Sequence, residues 1–329
     1  MAVTADGDTR APLRHTGDAL PRASIGTVPI LWYNAAGASR WTGPTILDEI
    51  ARLGYEGTQL GHDFPDHSEL RDALTRRGLR LAEVYAALPC TVDGPLDDAL
   101  DVARACLQRL HEASGDVLCV AVDGSADRDA VAGRAAEPGV PVFSAAAWRA
   151  LADVLHAIAD EAAALGHATV FHPHAATYVE TPAEIERLLA ATDPDRIGVC
   201  LDTGHHLVAG ADPVVDLRRL GERVRHVHLK DVDPVVLAAL RAGRYAGLEA
   251  AVHDGLFTEL GAGTLDLDGV LEVLVARDYD GWLMIEQDRS IGPPSEAAAI
   301  GRRVLATELR RLGQDQQDAA GRRPMRTVA

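Results

Sequence analysis

Phe171-His-Pro-His174, Leu201-Asp-Thr-Gly-His-His206, His226-Val-His-Leu-Lys-Asp231 and Met284-Ile-Glu-Gln-Asp288 are four polar clusters, and each closes a short apolar run. The runs cover residues 168–171, 197–201, 223–227 and 281–285. Runs of this kind read as strands buried on both faces. Imidazoles and carboxylates gathered at the carboxyl ends of consecutive parallel strands make a divalent-metal site at the mouth of an α/β barrel.

Four more apolar runs lie upstream, at residues 26–33, 57–60, 80–86 and 117–122. Helical patterns alternate with all eight, at 45–53, 68–77, 96–113, 144–165, 182–191, 212–220, 268–277 and 294–311. Thr181-Pro182 with Glu184, and Asp212-Pro213, are helix start signals. Eight strands alternating with helices give an α/β fold, either a (β/α)8 TIM barrel or a long doubly wound sheet. No G-x-G-x-x-G or Walker motif follows the first strand, which argues against a nucleotide-binding sheet. His172 and Asp202 are 30 residues apart and Asp202 and His228 are 26 apart, each about one βα unit. His228 and Glu286 are 58 apart, which adds an excursion over residues 231–263. The reading is a single TIM barrel over residues 25–312 with an extended loop after strand seven. Mobile tails are expected at 1–24 and 313–329, and a loop after strand four at 125–142. The excursion is expected to cover the barrel mouth, with Phe257 near the site, or to reach a neighbouring subunit of a homo-oligomer.

The chain has 329 residues, 47% hydrophobic, 25% charged and 4% aromatic, with a net charge of −17. That charge argues against a nucleic-acid partner held by phosphate neutralisation and fits a small, diffusible substrate. Cys90, Cys106, Cys119 and Cys200 form no C-x-x-C pair, and the last two sit in strand-like runs. This is the pattern of reduced thiols in a cytoplasmic protein. No apolar stretch approaches the roughly 20 residues of a membrane span, and residues 1–23 have no apolar core of a secretory signal.

Side chains alternate along a strand, so His172 shares a face with His174, and His226 with His228 and Lys230. One imidazole or carboxylate from each of four neighbouring strands makes His172, Asp202, His228 and Glu286 the candidate ligand set. Mixed nitrogen and oxygen donors suit Mn²⁺ or Co²⁺, with Zn²⁺, Fe²⁺ or Mg²⁺ as alternatives, rather than Ca²⁺. His205 and His206 either hold a substrate hydroxyl or cap a helix start. Lys230 either touches substrate and moves a proton or forms a rim ion pair with Asp231. Trp32, Tyr33 and Asn34 end strand one and Trp41 follows; Trp32 and Asn34 are candidates for the wall of a sugar-like ring. Gln59 and Glu83 are further candidates for substrate contact.

At these residues the chain resembles the xylose-isomerase-like family of metal-dependent TIM barrels, and within it the inosose (2-keto-myo-inositol) dehydratase branch. The matching pieces are Gly26-Thr-Val-Pro-Ile-Leu-Trp32 with Asn34, Gly57-Thr-Gln-Leu-Gly61, the His-x-His of strand five with Glu180-Thr181, and Leu201-Asp-Thr-Gly-His205. Others are Arg225-His-Val-His-Leu-Lys-Asp231, Asp254-Gly-Leu-Phe-Thr258 and Gly261-Ala-Gly263. The resemblance implies that Asp202, His228 and Glu286 are metal ligands. Many relatives place a Glu at the end of strand five, whereas this chain has His172 there, and the resemblance implies that the dehydratase-like branch does too. The chain departs from the family at Gln59, where a Glu is common, at the end of strand four, and at Ala175-Ala176, which replaces a Met-Gly dipeptide.

The resemblance also implies a metal-dependent lyase that dehydrates a cyclic polyhydroxy ketone, linked to inositol catabolism, through a metal-stabilised enediolate. The alternative is a ketose or keto-cyclitol isomerase or epimerase, which shares the first proton abstraction. Glu286, His174, His206 and Lys230 are candidates for base and acid.

Overall fold

The structure is a computed structural model that describes residues 19–35 and 40–321. Eight parallel strands close into one barrel. We number them β1 (Ser24–Thr27), β2 (Gly57–Gln59), β3 (Arg80–Leu88), β4 (Val117–Val122), β5 (Ala168–Phe171), β6 (Ile197–Asp202), β7 (Val224–Leu229) and β8 (Trp282–Ile285). Each pairs with its sequence neighbours, and β1 pairs with β8 from Ser24 opposite Trp282 to Thr27 opposite Ile285. Thr27 Oγ1 donates to the Ile285 carbonyl at 2.9 Å across this seam. The TIM barrel read from the sequence is the fold observed, and the doubly wound alternative is excluded by the closure.

Alternation along the strands divides the apolar residues between two layers. Leu283 and Ile285 of β8 face the surrounding helices, whereas Trp282 and Met284 fill the barrel interior with Val117, Cys119, Val170 and Cys200. The residue one alternation beyond each interior strand residue emerges at the carboxyl-terminal mouth. Val170 leads to His172, Cys200 to Asp202, His226 to His228, and Met284 to Glu286. Strand β3 breaks the pattern. Thr58 of β2 pairs with Leu81, but Gln59 pairs with Glu83, so the register slips there. Leu81, Val84 and Ala86 face outward, while Ala82 and Tyr85 belong to the interior cluster. The slip turns Glu83 inward as well, as a β-bulge does.

Strand one is shorter than the expected run over 26–33. Pro29 fixes φ and opens a helical turn over Ile30–Tyr33 instead. The closing helix Pro294–Gly321 passes the 313 boundary expected for a tail. Gln, Asp and Ala continue its pattern and no proline interrupts it. The tail expected at 1–24 falls largely on residues 1–18, outside the described residues; Ala19 and Leu20 are buried, and Ala19 N–H donates to the Leu309 carbonyl at 3.1 Å. Among the described residues, no helix is long and apolar enough to cross a membrane.

The excursion after β7 has its own structure. Asp231–Val232 pairs with Phe257–Thr258 as a small antiparallel ladder, enclosing helices Pro234–Arg241 and Leu248–His253. Its apolar side packs on Ala132, Ala175, Ala176 and Val208, which lie in the segments after β4, β5 and β6. The excursion therefore lies over the mouth face. Asp231 anchors it: its carboxylate accepts from the backbone N–H groups of Gly261, Gly263 and Leu265 at 2.9, 3.0 and 2.9 Å. A Cβ on Gly263 would run into that carboxylate, so only glycine fits there. These bonds replace the rim ion pair considered between Lys230 and Asp231.

Candidate metal centre

His172, Asp202, His228 and Glu286 meet at the mouth, with one donor atom from each lying within 4.8 Å of the others. His172 Nε2 and His228 Nδ1 each lie 3.7 Å from Asp202 Oδ2, and His228 Nδ1 lies 2.6 Å from Glu286 Oε2. Asp202 Oδ2, His228 Nδ1 and Glu286 Oε2 are buried without a directed hydrogen bond. Orphaned buried donors that point at one another are costly unless something joins them. Two imidazoles and two carboxylates fit a divalent transition ion at that point.

Local structure fixes each ligand. Asp202 ends β6 and caps the helix Thr203–Val208, its Oδ1 accepting from His205 N–H at 2.8 Å, which leaves Oδ2 free. Beneath the site, Glu83 stands 3.0 Å from His228 Nε2 and 3.1 Å from His226 Nε2. Burial opposes its charge, but His228 and His226 outweigh that and hold the carboxyl well below the usual range. Glu286 and Asp202 are likewise held low, despite burial, chiefly by Lys230.

Lys230 is 1% exposed. Its Nζ lies 2.9 Å from Glu286 Oε1, 2.8 Å from Asp288 Oδ1 and 3.6 Å from Asp202 Oδ2, and 4.4 Å from the centre of the Phe257 ring. Burial disfavours the ammonium, but Asp288, Glu286 and Asp202 overcome it and keep Lys230 charged. Burial pushes Asp288 up to about 6, against the pull of Lys230. The stem of Lys230 passes where a Cβ on Gly204 would stand, with Cγ 2.6 Å and Cδ 2.8 Å away.

His174 packs against His205 with ring centres 3.6 Å apart and planes tilted by 38°, and Nδ1 donates to the Ala175 carbonyl at 2.6 Å. Nε2 therefore carries the lone pair. Burial, with His172 and Lys230 nearby, lowers His174 to about 3, so the ring is neutral. With its proton on Nδ1, the neutral ring leaves the Nε2 lone pair open, which, of the two roles considered, suits a base better than an acid. His205 also meets Phe257 edge-on at 5.4 Å.

Three sequence candidates fall elsewhere. Trp32 is fully buried and donates from Nε1 to Ser295 Oγ at 3.2 Å, so it does not line the open mouth. His206 turns away: Nδ1 donates to the Asp202 carbonyl at 2.9 Å, and Nε2 lies 3.8 Å from Asp216. Glu83 is fully buried below the mouth, between His226 and His228. Asn34 is exposed at the rim and donates to the Asp288 carbonyl at 3.0 Å. Asp288, overlooked as a site residue, stood inside the fourth quoted cluster at strand spacing from Glu286.

Residues 47–308 match the family model described as xylose isomerase-like TIM barrel. The chain is 32% identical over 287 residues to inosose dehydratase of Geobacillus kaustophilus, covering 85% of this chain and 93% of that protein. It is also 32% identical over 291 residues to inosose dehydratase 2 of Bacillus cereus, covering 85% and 95%. Among solved structures, an L-ribulose 3-epimerase superposes with TM-score 0.68 at 16% identity, covering 92% of this chain and 100% of that one. The probable 3-DHS dehydratase AsbF from Bacillus anthracis superposes at 0.64 with 15% identity, covering 86% and 98%. These two likenesses speak for the fold alone. With the model match spanning most of the barrel and the inosose dehydratases aligned over nearly their full length, the chain belongs to the xylose isomerase-like TIM barrel family.

Proposed function

We propose that this protein is a divalent-metal-dependent carbon–oxygen lyase that dehydrates a cyclic polyhydroxy ketone of the inosose type. The observation that carries the reading is a charged, buried Lys230 held beside the four-donor cluster, a proton donor next to the place where a carbonyl would bind. The relatives named inosose dehydratase supply the substrate class.

His172, Asp202, His228 and Glu286 would hold the ion, Mn²⁺ or Co²⁺ by donor type. When bound, it supplies Lewis-acid charge to a carbonyl oxygen and the adjacent hydroxyl. His174 takes the hydrogen on the carbon next to the carbonyl through its open Nε2, and the C–H electrons pass into an enediolate. Lys230 protonates the hydroxyl one carbon further on. The C–O bond breaks, water leaves, and the enediolate pair forms the new carbon–carbon double bond. The resulting enol tautomerises to a dione, and solvent restores both protonation states. Phe257 and His205 meet beside Lys230 and would limit access of bulk water.

The test is to incubate the metal-loaded protein with 2-keto-inositols in deuterated water, following dione absorbance and product mass. A dehydratase gives an ultraviolet-absorbing product that has lost water. Deuterium in a stereoisomer of the substrate, with every hydroxyl retained, would mark an epimerase and sink the assignment.

A further inference from the structure

The barrel interior below the mouth should be a layer of aliphatic side chains. Here it holds a glutamate and two histidines. Glu83, His226 and His228 are each at most 1% exposed. A carboxylate at that depth loses several kcal/mol of hydration and is retained only with compensating partners. Its nearest partners are His228 Nε2, 3.0 Å from Oε1, and His226 Nε2, 3.1 Å from Oε2, close contacts that form no directed hydrogen bond. The register slip between β2 and β3 is what points Glu83 inward, so the backbone itself departs from regular geometry to deliver this group.

His228 is gripped from both ends. Nε2 faces Glu83 below, and Nδ1 faces Glu286 Oε2 and Asp202 Oδ2 above, at 2.6 and 3.7 Å. An imidazole that binds a metal through one nitrogen keeps its proton on the other, and a carboxylate there fixes the ring and raises its basicity. We propose that Glu83 is a positioning residue for the metal centre: it holds the Nε2–H of His228, so that Nδ1 is presented to the ion, and His226 in turn holds Glu83. This rests on the metal reading given above. Cys119 and Cys200 also lie near His228, in the same interior layer.

The experiment compares wild type, Glu83→Gln and Glu83→Leu in metal titrations with Mn²⁺ and Zn²⁺, alongside nitrogen-15 histidine spectra of the Zn²⁺-loaded wild type. Glu83→Gln keeps the shape and one acceptor, and Glu83→Leu removes both. One ion per chain is expected, bound on the order of 10–100-fold more weakly in the variants, with the greater loss in Glu83→Leu. His226→Gln, which can still donate to Glu83, should retain more affinity than His226→Leu. The spectra should show His228 bound to zinc through Nδ1 with a protected Nε2–H, a readout that stands even if a variant fails to fold.

Equal affinity in wild type and both Glu83 variants would overturn the inference while leaving the metal reading intact. So would a His228 bound through Nε2. Two ions per chain, the second lost in Glu83→Gln, would also overturn it, because Glu83 would then be a ligand. A wild-type protein that binds neither metal would remove the metal reading itself, and this inference with it.

Discussion

Lys230 Nζ stands 2.9 Å from Glu286 Oε1, so the candidate proton donor and a candidate metal ligand share one carboxylate. The two functions are thereby coupled. Glu286 would offer Oε2 to the ion while Oε1 meets the ammonium, so the position of one would constrain the other.

Removing the ammonium separates these roles. Lys230→Met should lower turnover on the order of 10²–10⁴-fold, the usual worth of a positioned acid, while the metal stays bound. Lys230→Arg should not rescue, because the guanidinium is too large for the Gly204 passage and does not release its proton. Turnover and metal content measured on the same preparations check this; a Lys230→Met protein with undiminished turnover would refute it.

Asp202 is both ligand and helix cap. Asp202→Asn should lose metal retention yet keep the cap, since Asn caps as well as Asp. Asp202→Ala should lose both, at a further cost of about 1 kcal/mol in stability. Metal analysis after gel filtration and denaturant melts of the metal-free proteins test the split.

Gly204 has no room for a side chain beside the Lys230 stem. Gly204→Ala should force Lys230 aside, by the 2.6 and 2.8 Å approaches of Cγ and Cδ. Turnover should then fall while metal affinity changes less. A crystal structure of the variant with Lys230 unmoved would contradict this account.

Glu180 gives a pH signature outside the candidate ligand set. Burial pushes it up to about 7, even though Gly133 and Ala176 N–H groups donate to it at 2.9 and 2.8 Å. The folded value exceeds the ordinary 4.5, so the folded protein binds the extra proton between them. The stability from this group is present below pH 4.5 and is lost as pH rises through about 7. Melting temperature should therefore decline more steeply over that window in wild type than in Glu180→Gln. Parallel pH slopes for the two proteins would count against it.

The barrel and its mouth were legible because strand period and chemistry coincide: the residue after each buried aliphatic run is the one that emerges. The meeting of His172, Asp202, His228 and Glu286 at the mouth follows from that single rule. Adjacent residues on a helix point about 100° apart, so His205 and His206 cannot both face the mouth, and the sequence does not say which one does. Pro29 was a readable signal that strand one ends early, and it moves Trp32 into the core. Glu83 was illegible for a different reason. A one-residue slip reverses a strand's alternation, and no local propensity announces where a bulge will fall.

The seam between β1 and β8 joins residues 258 apart in sequence, and β8 carries Glu286. During synthesis the earlier strands leave the ribosome first, but the ring stays open until β8 arrives. His172, Asp202 and His228 therefore wait for Glu286, and an intermediate with seven strands would hold only three of the four candidate ligands. An ion that binds only the closed ring rewards the last step of folding and none before it. The metal centre would then serve as a latch as well as a reagent, and metal scarcity in the growth medium should show first as a loss of folded protein.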